Sequence, residues 1–150
     1  LVRSFDVESD GEKLKVKLAL HNIGTEAEAD EYFEQVKKVV LQQMAVFGEL
    51  PKFDYGEYVF LACYVPNASG DGMEHRNSTV VTSTRTLAKG GMKGNLGTVS
   101  HEFFHAWNVE RIRPQSLEPF SFEEANMSGE LWFAEGFTSY YPNLFLTRYQ

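Results

Sequence analysis

The chain has 150 residues, of which 43% are hydrophobic and 14% aromatic, and this composition excludes an intrinsically disordered protein. The length fits one globular domain. The net charge of −7 and the lack of a basic run argue against a nucleic-acid-binding protein, and no segment is long and apolar enough to span a membrane.

The first third of the chain predicts a β-hairpin followed by a long helix. Residues 2–8 and 14–21 alternate apolar and polar side chains on either side of an Asp-Gly turn, which is typical of a hairpin. Residues 26–47 carry apolar side chains at helical spacing, and Gly48 is a natural stop for that helix.

The middle of the chain predicts two further strands. Residues 58–65 form an apolar run that indicates a buried strand, and its Cys63, the only cysteine, is expected to be a buried small hydrophobic residue. A single cysteine also excludes an intrachain disulfide. Residues 67–72 are rich in turn formers, and the β-branched residues 78–83 predict an edge strand.

The last third predicts two helices joined by a loop. Glycines at 90–97 indicate a flexible approach to a helix over residues 96–110, and residues 114–129 have the composition of a loop. A second helix is expected to start near Ser128 or Gly129 and to end or kink near Tyr141, because the Pro142 ring would clash with the carbonyl of Thr138. The predicted fold class is therefore α+β, with a mixed sheet followed by these two helices.

The segment His-Glu-Phe-Phe-His at residues 101–105 is the most informative motif. Residues four apart lie on one face of a helix, so His101 and His105 can bind a single tetrahedral metal ion. Glu102 can then lie beside a metal-bound water and accept its proton. An apolar stripe on another face allows the helix to pack against a core, and its members are Val99, Phe103, Ala106 and Trp107.

A zinc site of this kind needs a third protein ligand. The long metzincin pattern requires Gly and His where this chain has Asn108 and Arg111, so that class is excluded. Glu110 would point away from His105 on a continuous helix. Glu135 is the strongest candidate, because it is an acidic residue in an apolar segment; a capping or ion-pair role is the alternative. The other glutamates of this region lie in or beside the predicted loop: Glu123, Glu124 and Glu130.

Residues 101–114, residues 131–141 and residues 72–79, taken together, resemble the glycyl aminopeptidase family. Its members are thermolysin-like zinc peptidases (gluzincins), and many carry a downstream PDZ domain. The resemblance runs from about residue 5 to residue 150. It implies a zincin catalytic lobe with Glu102 as general base and with zinc held by His101, His105 and Glu135.

The upstream motif also resembles the Gly-x-Met-Glu-Asn strand of the alanyl aminopeptidases. Gly72, Met73 and Glu74 match that strand, whereas His75 replaces its Asn. The resemblance implies that Glu74 holds the free amine of a peptide whose backbone pairs with the strand. An edge strand beside a metal could bind an extended peptide in this way, and the alternative for Glu74 is a surface ion pair with Arg76.

These features predict a zinc-dependent peptidase that removes N-terminal residues, with a glycine preference implied by the family alone. Residues 1–150 are interpreted as one catalytic lobe cut from a longer protein, and the group that stabilises the transition state is expected beyond residue 150. Tyr140 and Tyr141 are expected to pack the helix. Two alternatives stay open: a peptide-binding module with a structural zinc, and a zinc hydrolase of a non-peptide amide or ester.

Overall fold

Five strands form a single mixed sheet, and three α-helices pack on it, in the computed structural model of residues 1–119, 121 and 123–148. The strand order is β1-β2-β3-β5-β4. Pairing is antiparallel between β1 and β2 and between β4 and β5, and parallel between β2 and β3 and between β3 and β5. The α+β prediction is confirmed. The bounds are β1 Val2–Ser9, β2 Glu12–Asn22, α1 Glu26–Phe47, β3 Glu57–Tyr64, β4 Asp71–His75, β5 Ser78–Ser83, α2 Gly91–Phe104 and α3 Leu131–Arg148.

The predicted hairpin and the first helix are confirmed. Asp10 and Gly11 both have positive φ angles, of 49° and 74°, as a two-residue hairpin turn requires. Thr25 caps α1 through a reciprocal pair of hydrogen bonds with Glu28, and Gly48 ends the helix in the left-handed region at φ 86°.

The prediction that residues 78–83 form an edge strand is wrong. β5 pairs with β3 on one side and with β4 on the other, so it lies inside the sheet. The edge strand on this side of the sheet is β4, whose first residues fall in the segment predicted as a loop. β-Branched residues suit an interior strand as well as an edge strand, so composition alone could not distinguish the two positions.

The helix that carries the two histidines has different limits from those predicted. α2 begins at Gly91 instead of residue 96, and it ends at Phe104 with His105 as its C-cap. From Ala106 onward the backbone hydrogen bonds span three, four or five residues, with five between the Glu110 N–H and the His105 carbonyl at 3.0 Å, so regular α-helix does not reach residue 110.

The last helix, α3, runs from Leu131 to Arg148 and contains Pro142. Of the two predicted outcomes, an end or a kink near this proline, the end is wrong, because the helix continues to Arg148. Pro142 is buried, and its carbonyl lies 3.5 Å from the Ser100 hydroxyl of α2. Proline has no backbone N–H, so α3 lacks one helical hydrogen bond at the residue that contacts α2. The connection between α2 and α3 contains one short 3₁₀ turn, Gln115–Leu117, and is otherwise irregular in its described part, as predicted.

The core lies between the sheet and the helices, and it fixes the orientation of α2. The Phe103 ring packs edge-on against Tyr58 of β3, with 5.0 Å between ring centroids, and also contacts Phe60 at 5.4 Å. The predicted apolar stripe, which extends past the end of α2 to Trp107, is buried throughout. Cys63 is only half-buried, contrary to prediction, because its side chain alternates with the buried residues of β3. Among the described residues, no helix has the length and hydropathy needed to cross a membrane.

Candidate metal centre

α2 and α1 together position the two histidines. Gln43 of α1 is fully buried, and its side-chain amide donates to the Ser100 carbonyl at 2.8 Å, one residue before His101. This hydrogen bond fixes the position of α2 relative to α1. The His101 and His105 rings then lie 4.9 Å apart between centroids, at 80° to each other, on the same side of the helix. The helical spacing of the motif therefore brings its two imidazoles together, as predicted.

Glu135 of α3 lies between the two imidazoles. Its carboxylate oxygens are 3.3 Å from His101 Nε2 and 3.6 Å from His105 Nε2. Ligand atoms about 2.0–2.1 Å from one tetrahedral zinc ion lie roughly 3.4 Å apart, so these distances match a shared ion. The expectation that Glu135 is buried is wrong, because its side chain is 52% exposed. Its position beside both imidazoles, rather than burial, makes it a candidate ligand.

A hydrogen bond fixes the tautomer of His105. The ring is almost completely buried, and its Nδ1 lies 2.7 Å from the backbone carbonyl of Asn108. A carbonyl can only accept, so Nδ1 carries the proton and Nε2 keeps its lone pair toward Glu135. Metal-binding histidines commonly have this arrangement, in which the second ring nitrogen donates to a carbonyl or carboxylate.

Asn108 also joins the two ligand-bearing segments. Its buried side-chain amide lies 3.2 Å from the backbone carbonyls of Phe133 and Ala134 and 3.2 Å from the Thr138 hydroxyl, all on the helix of Glu135. The same residue therefore orients His105 and anchors α3. In the sequence, Asn108 served only to exclude one protease class. A polar residue in the apolar stretch after the second histidine was the available signal.

The surroundings of His101 favour the form of imidazole that binds metal. Burial, followed by the proximity of His105, lowers the pKa of His101, while Glu135 acts in the opposite direction. A lowered pKa keeps the ring neutral at neutral pH, and a metal ion requires a neutral imidazole. Potential ligand atoms of His101, His105 and Glu135 all lie within 4.8 Å of one another.

Glu102 is a buried acid without a hydrogen-bond partner for one of its oxygens. Its side chain faces the site, and Oε2 is completely enclosed and unpaired among the described residues. Burial, followed by the negative charges of Glu74, Glu135 and Asp71, raises the pKa of Glu102 to about 8. An acid with a strongly perturbed pKa beside potential metal ligands is typical of a functional site.

The edge strand β4 approaches Glu102 through Gly72. A Cβ atom at this position would overlap the Glu102 carboxylate, so only glycine allows the strand to pass so closely. This contact gives the Gly-Met-Glu segment a physical role that the sequence indicated only by resemblance.

Glu74 also lies within the site. One of its carboxylate oxygens, one from Glu102 and a ring nitrogen of His105 are within 4.8 Å of one another. The alternative of an ion pair between Glu74 and Arg76 is not formed, because Arg76 binds Asp54 at 3.0 Å instead. By the alternation of a strand, Met73 is on the opposite face from Gly72 and Glu74, and it is 52% exposed.

The remaining candidates do not reach the metal centre. Glu110 bonds Arg113 at 3.5 Å, and Glu130 accepts hydrogen bonds from Ser128 and Ser116. Tyr141 stacks on Phe104 with 5.8 Å between ring centroids, as expected for a packing residue. The residues that are exposed and outside the candidate site are Glu123, Glu124, His75 and Tyr140.

A cavity of about 450 Å³ opens on the candidate centre. It is lined by one face of α2 and the facing part of α3, including His101, Glu102, Thr98 and Gly94. This volume accommodates a small peptide segment, in the range typical of ligand pockets.

Comparison with known proteins agrees with this geometry. Residues 94–150 match the family model of the M61 glycyl aminopeptidases, so the resemblance to that family is confirmed over this segment. The chain is also similar to the crystal structure of an aminopeptidase N family protein from Idiomarina loihiensis, with a TM-score of 0.73 and 25% identity. That match covers 97% of this chain and 25% of the other, so the chain spans about a quarter of the structure that it matches. No curated protein sequence matches the chain.

Proposed function

Because residues 94–150 match the glycyl aminopeptidase family and contain the convergent His101, His105 and Glu135, we propose that this chain is a zinc-peptidase catalytic lobe. The observation that carries the proposal is the spacing of 3.3 Å and 3.6 Å between the Glu135 oxygens and the two Nε2 atoms. Two histidines and one carboxylate form the protein ligand set of a catalytic zinc site, which leaves a fourth position for water or substrate.

The donor set suits zinc better than the hard cations. Two neutral imidazole nitrogens and one carboxylate form a borderline ligand set, whereas magnesium and calcium select oxygen ligands. A zinc ion held at this position would act as a Lewis acid, make a water molecule acidic near neutral pH and favour the ionised form of Glu102.

Glu102 is the proposed general base. Its carboxylate is in the site but outside the trio proposed to bind the metal, and its buried oxygen lacks any other partner among the described residues. In this role Glu102 accepts the proton of the attacking water and then transfers it to the leaving amine. The same buried carboxylate argues against a purely structural zinc, which would not require an unpaired acid at this position.

The edge strand β4 is the proposed binding site for the peptide backbone. Its outer edge has no paired strand among the described residues, so an extended peptide can pair with it. Glu74, beside Glu102 and His105, is the proposed partner for the substrate ammonium, and Gly72 allows the peptide and strand to lie close to the base. These contacts support cleavage at a free amino terminus.

Replacing Glu102 by Gln in the full-length protein tests the assignment of the base. We expect zinc content and peptide affinity to be retained, while kcat falls by about 10²–10⁴-fold, because the amide keeps the shape of the acid without its basicity. Metal analysis and steady-state kinetics on the same samples give both quantities. Loss of zinc in Glu102→Gln to the extent seen in His105→Ala would contradict the separate roles of base and metal ligand.

Acetylation of the substrate tests the role of Glu74. An ammonium bound by a carboxylate contributes roughly 1.5–3 kcal/mol, so acetylation should lower kcat/KM by about 10–100-fold. Glu74→Ala should remove most of this difference without loss of zinc. Equal cleavage of free and acetylated peptides by the unsubstituted protein would indicate an endopeptidase, and Glu74 would then have no role in amine recognition.

A further inference from the structure

A second cavity adjoins the one at the metal centre. Its volume is about 430 Å³, and its walls come from the start of β4, the end of β5 and the outer face of α2. Gly94 and Thr98 line both cavities, so the two are contiguous along α2. Glycines at 70, 72 and 94 leave this cavity without side chains over much of its surface.

Arg85 is the basic residue that lines the second cavity. Its guanidinium lies above Gly94, because a Cβ placed on that glycine would be 3.1 Å from Arg85 Nη1. Within the described ranges its side chain has no hydrogen bond or ion pair, although the side chains of Arg3, Arg76 and Arg111 each have at least one partner. An exposed guanidinium at the border of two cavities is therefore free to bind a ligand.

The proposed binding mode brings the substrate to this cavity. If Glu74 holds the amino terminus, the peptide must run antiparallel to β4, from Glu74 past Gly72 toward Asp71. The part of the substrate on the carboxyl side of the scissile bond then enters the second cavity. Asp71, the acidic residue of that cavity, accepts a hydrogen bond from the Gly72 N–H at 3.0 Å, which holds its carboxylate against the strand.

We propose that the second cavity binds a carboxylate on the carboxyl side of the scissile bond, with Arg85 as its partner. This inference rests on the proposed peptidase function and adds a substrate class to it: short peptides with a free carboxyl terminus, or peptides with an acidic residue after the scissile bond. A guanidinium binds a carboxylate through two parallel hydrogen bonds, which gives both charge and geometric selectivity.

Two pairs of peptides distinguish these sources of the carboxylate. Ala-Ala is compared with Ala-Ala amide, and Ala-Glu-Ala amide is compared with Ala-Gln-Ala amide. Binding is measured by calorimetry to the zinc-loaded full-length protein carrying Glu102→Gln, so that hydrolysis during the titration is about 10²–10⁴-fold slower. Because Arg85 is exposed, we expect about 3-fold to 10-fold tighter binding of the carboxylate member in at least one pair.

Further substitutions assign the preference to Arg85. Arg85→Gln should reduce the ratio of affinities to about 1, Arg85→Lys should keep part of it, and Arg148→Gln is the matched control at an exposed arginine of α3 that should leave it unchanged. Three results would each overturn the proposal. They are affinity ratios near 1 in both peptide pairs, an affinity ratio that is unchanged in Arg85→Gln, and no binding of any peptide.

Hydrolysis of the same peptides by protein with Glu102 intact tests the proposed function separately. Arg85-dependent binding without any cleavage would contradict the peptidase function and retain the carboxylate site. Cleavage with equal affinity for acid and amide would contradict the carboxylate site alone.

Discussion

Asn108 offers a specific test of how the metal centre is held together. Its backbone carbonyl orients His105, and its side-chain amide binds the first turns of α3, which carries Glu135. Asn108→Ala removes the side-chain bonds and leaves the backbone carbonyl in place, so the main expected effect is a loss of alignment between the two ligand-bearing segments.

The expected size of the effect follows from these contacts. One amide group can donate two hydrogen bonds, each with a net contribution of about 1 kcal/mol. The Asn108 Oδ1 atom is buried without a partner among the described residues, and its removal offsets part of the loss. We therefore expect a fall of about 1–2 kcal/mol in the free energy of unfolding. Groups that orient metal ligands commonly change metal affinity by about 10–100-fold when they are replaced.

The assay combines zinc competition against a chromophoric chelator with denaturant unfolding of the metal-free protein. Asn95→Ala is the matched control, because Asn95 is also buried on α2 and donates to a backbone carbonyl, that of Arg85, at 2.8 Å. The control should lose similar stability but keep the zinc affinity of the unsubstituted protein. Equal zinc affinities for Asn108→Ala and Asn95→Ala would refute the reasoning.

Three further predictions concern the acids and glycines of the site. Gly72→Ala should lower kcat/KM by roughly 100-fold, because its Cβ displaces the Glu102 carboxylate. Gly129→Ala lies outside both cavities, at a position where a Cβ meets no atom within 4 Å, and should be nearly neutral; kinetics that do not separate the two variants would contradict the close contact. Since folding raises the pKa of Glu102 from 4.5 to about 8, its protonated form stabilises the metal-free fold, and that stability is lost as pH rises from 4.5 to 8. Glu102→Gln should therefore increase the free energy of unfolding at pH 8 more than at pH 5, and denaturant titrations that show no such difference would refute the raised pKa. Glu135→Gln should weaken zinc binding by more than roughly 10-fold in a competition titration, while Glu130→Gln, outside the site, should not.

Local sequence signals predicted those parts of the fold that depend on neighbouring residues. The hairpin follows from the Asp-Gly turn, and α1 follows from its apolar spacing and from Gly48. The same logic predicted that His101 and His105 share a face, since that depends only on the helical repeat.

Contacts between distant segments were less accessible to prediction. Glycines before the histidines indicated a loop, yet α2 starts at Gly91, where a Cβ would lie 2.5 Å from the Thr86 carbonyl oxygen and only glycine fits. β4 is short and begins in a turn-rich segment, and its position at the edge depends on the parallel pairing of β5 with β3.

The metal centre was predicted in part. Glu135 was identified because an acid in an apolar segment suggested burial, but its side chain is half-exposed and its relevance comes from the approach of α3 to α2. The proximity of Glu74 to Glu102 depends on a tertiary contact, and the polar character of Asn108 in its apolar stretch did not indicate which groups it would join.

The zinc content of the purified full-length protein, measured after reconstitution with excess ion and removal of unbound metal, tests the central claim most directly. We predict one zinc ion per chain in the unsubstituted protein and in Glu130→Gln, and a much lower content in His101→Ala and His105→Ala. Measurement at neutral pH and without chelators is required, because protonation of the ligands releases the metal. A protein that keeps its fold by circular dichroism but binds no zinc, or a His105→Ala variant that retains a full equivalent, would contradict the account.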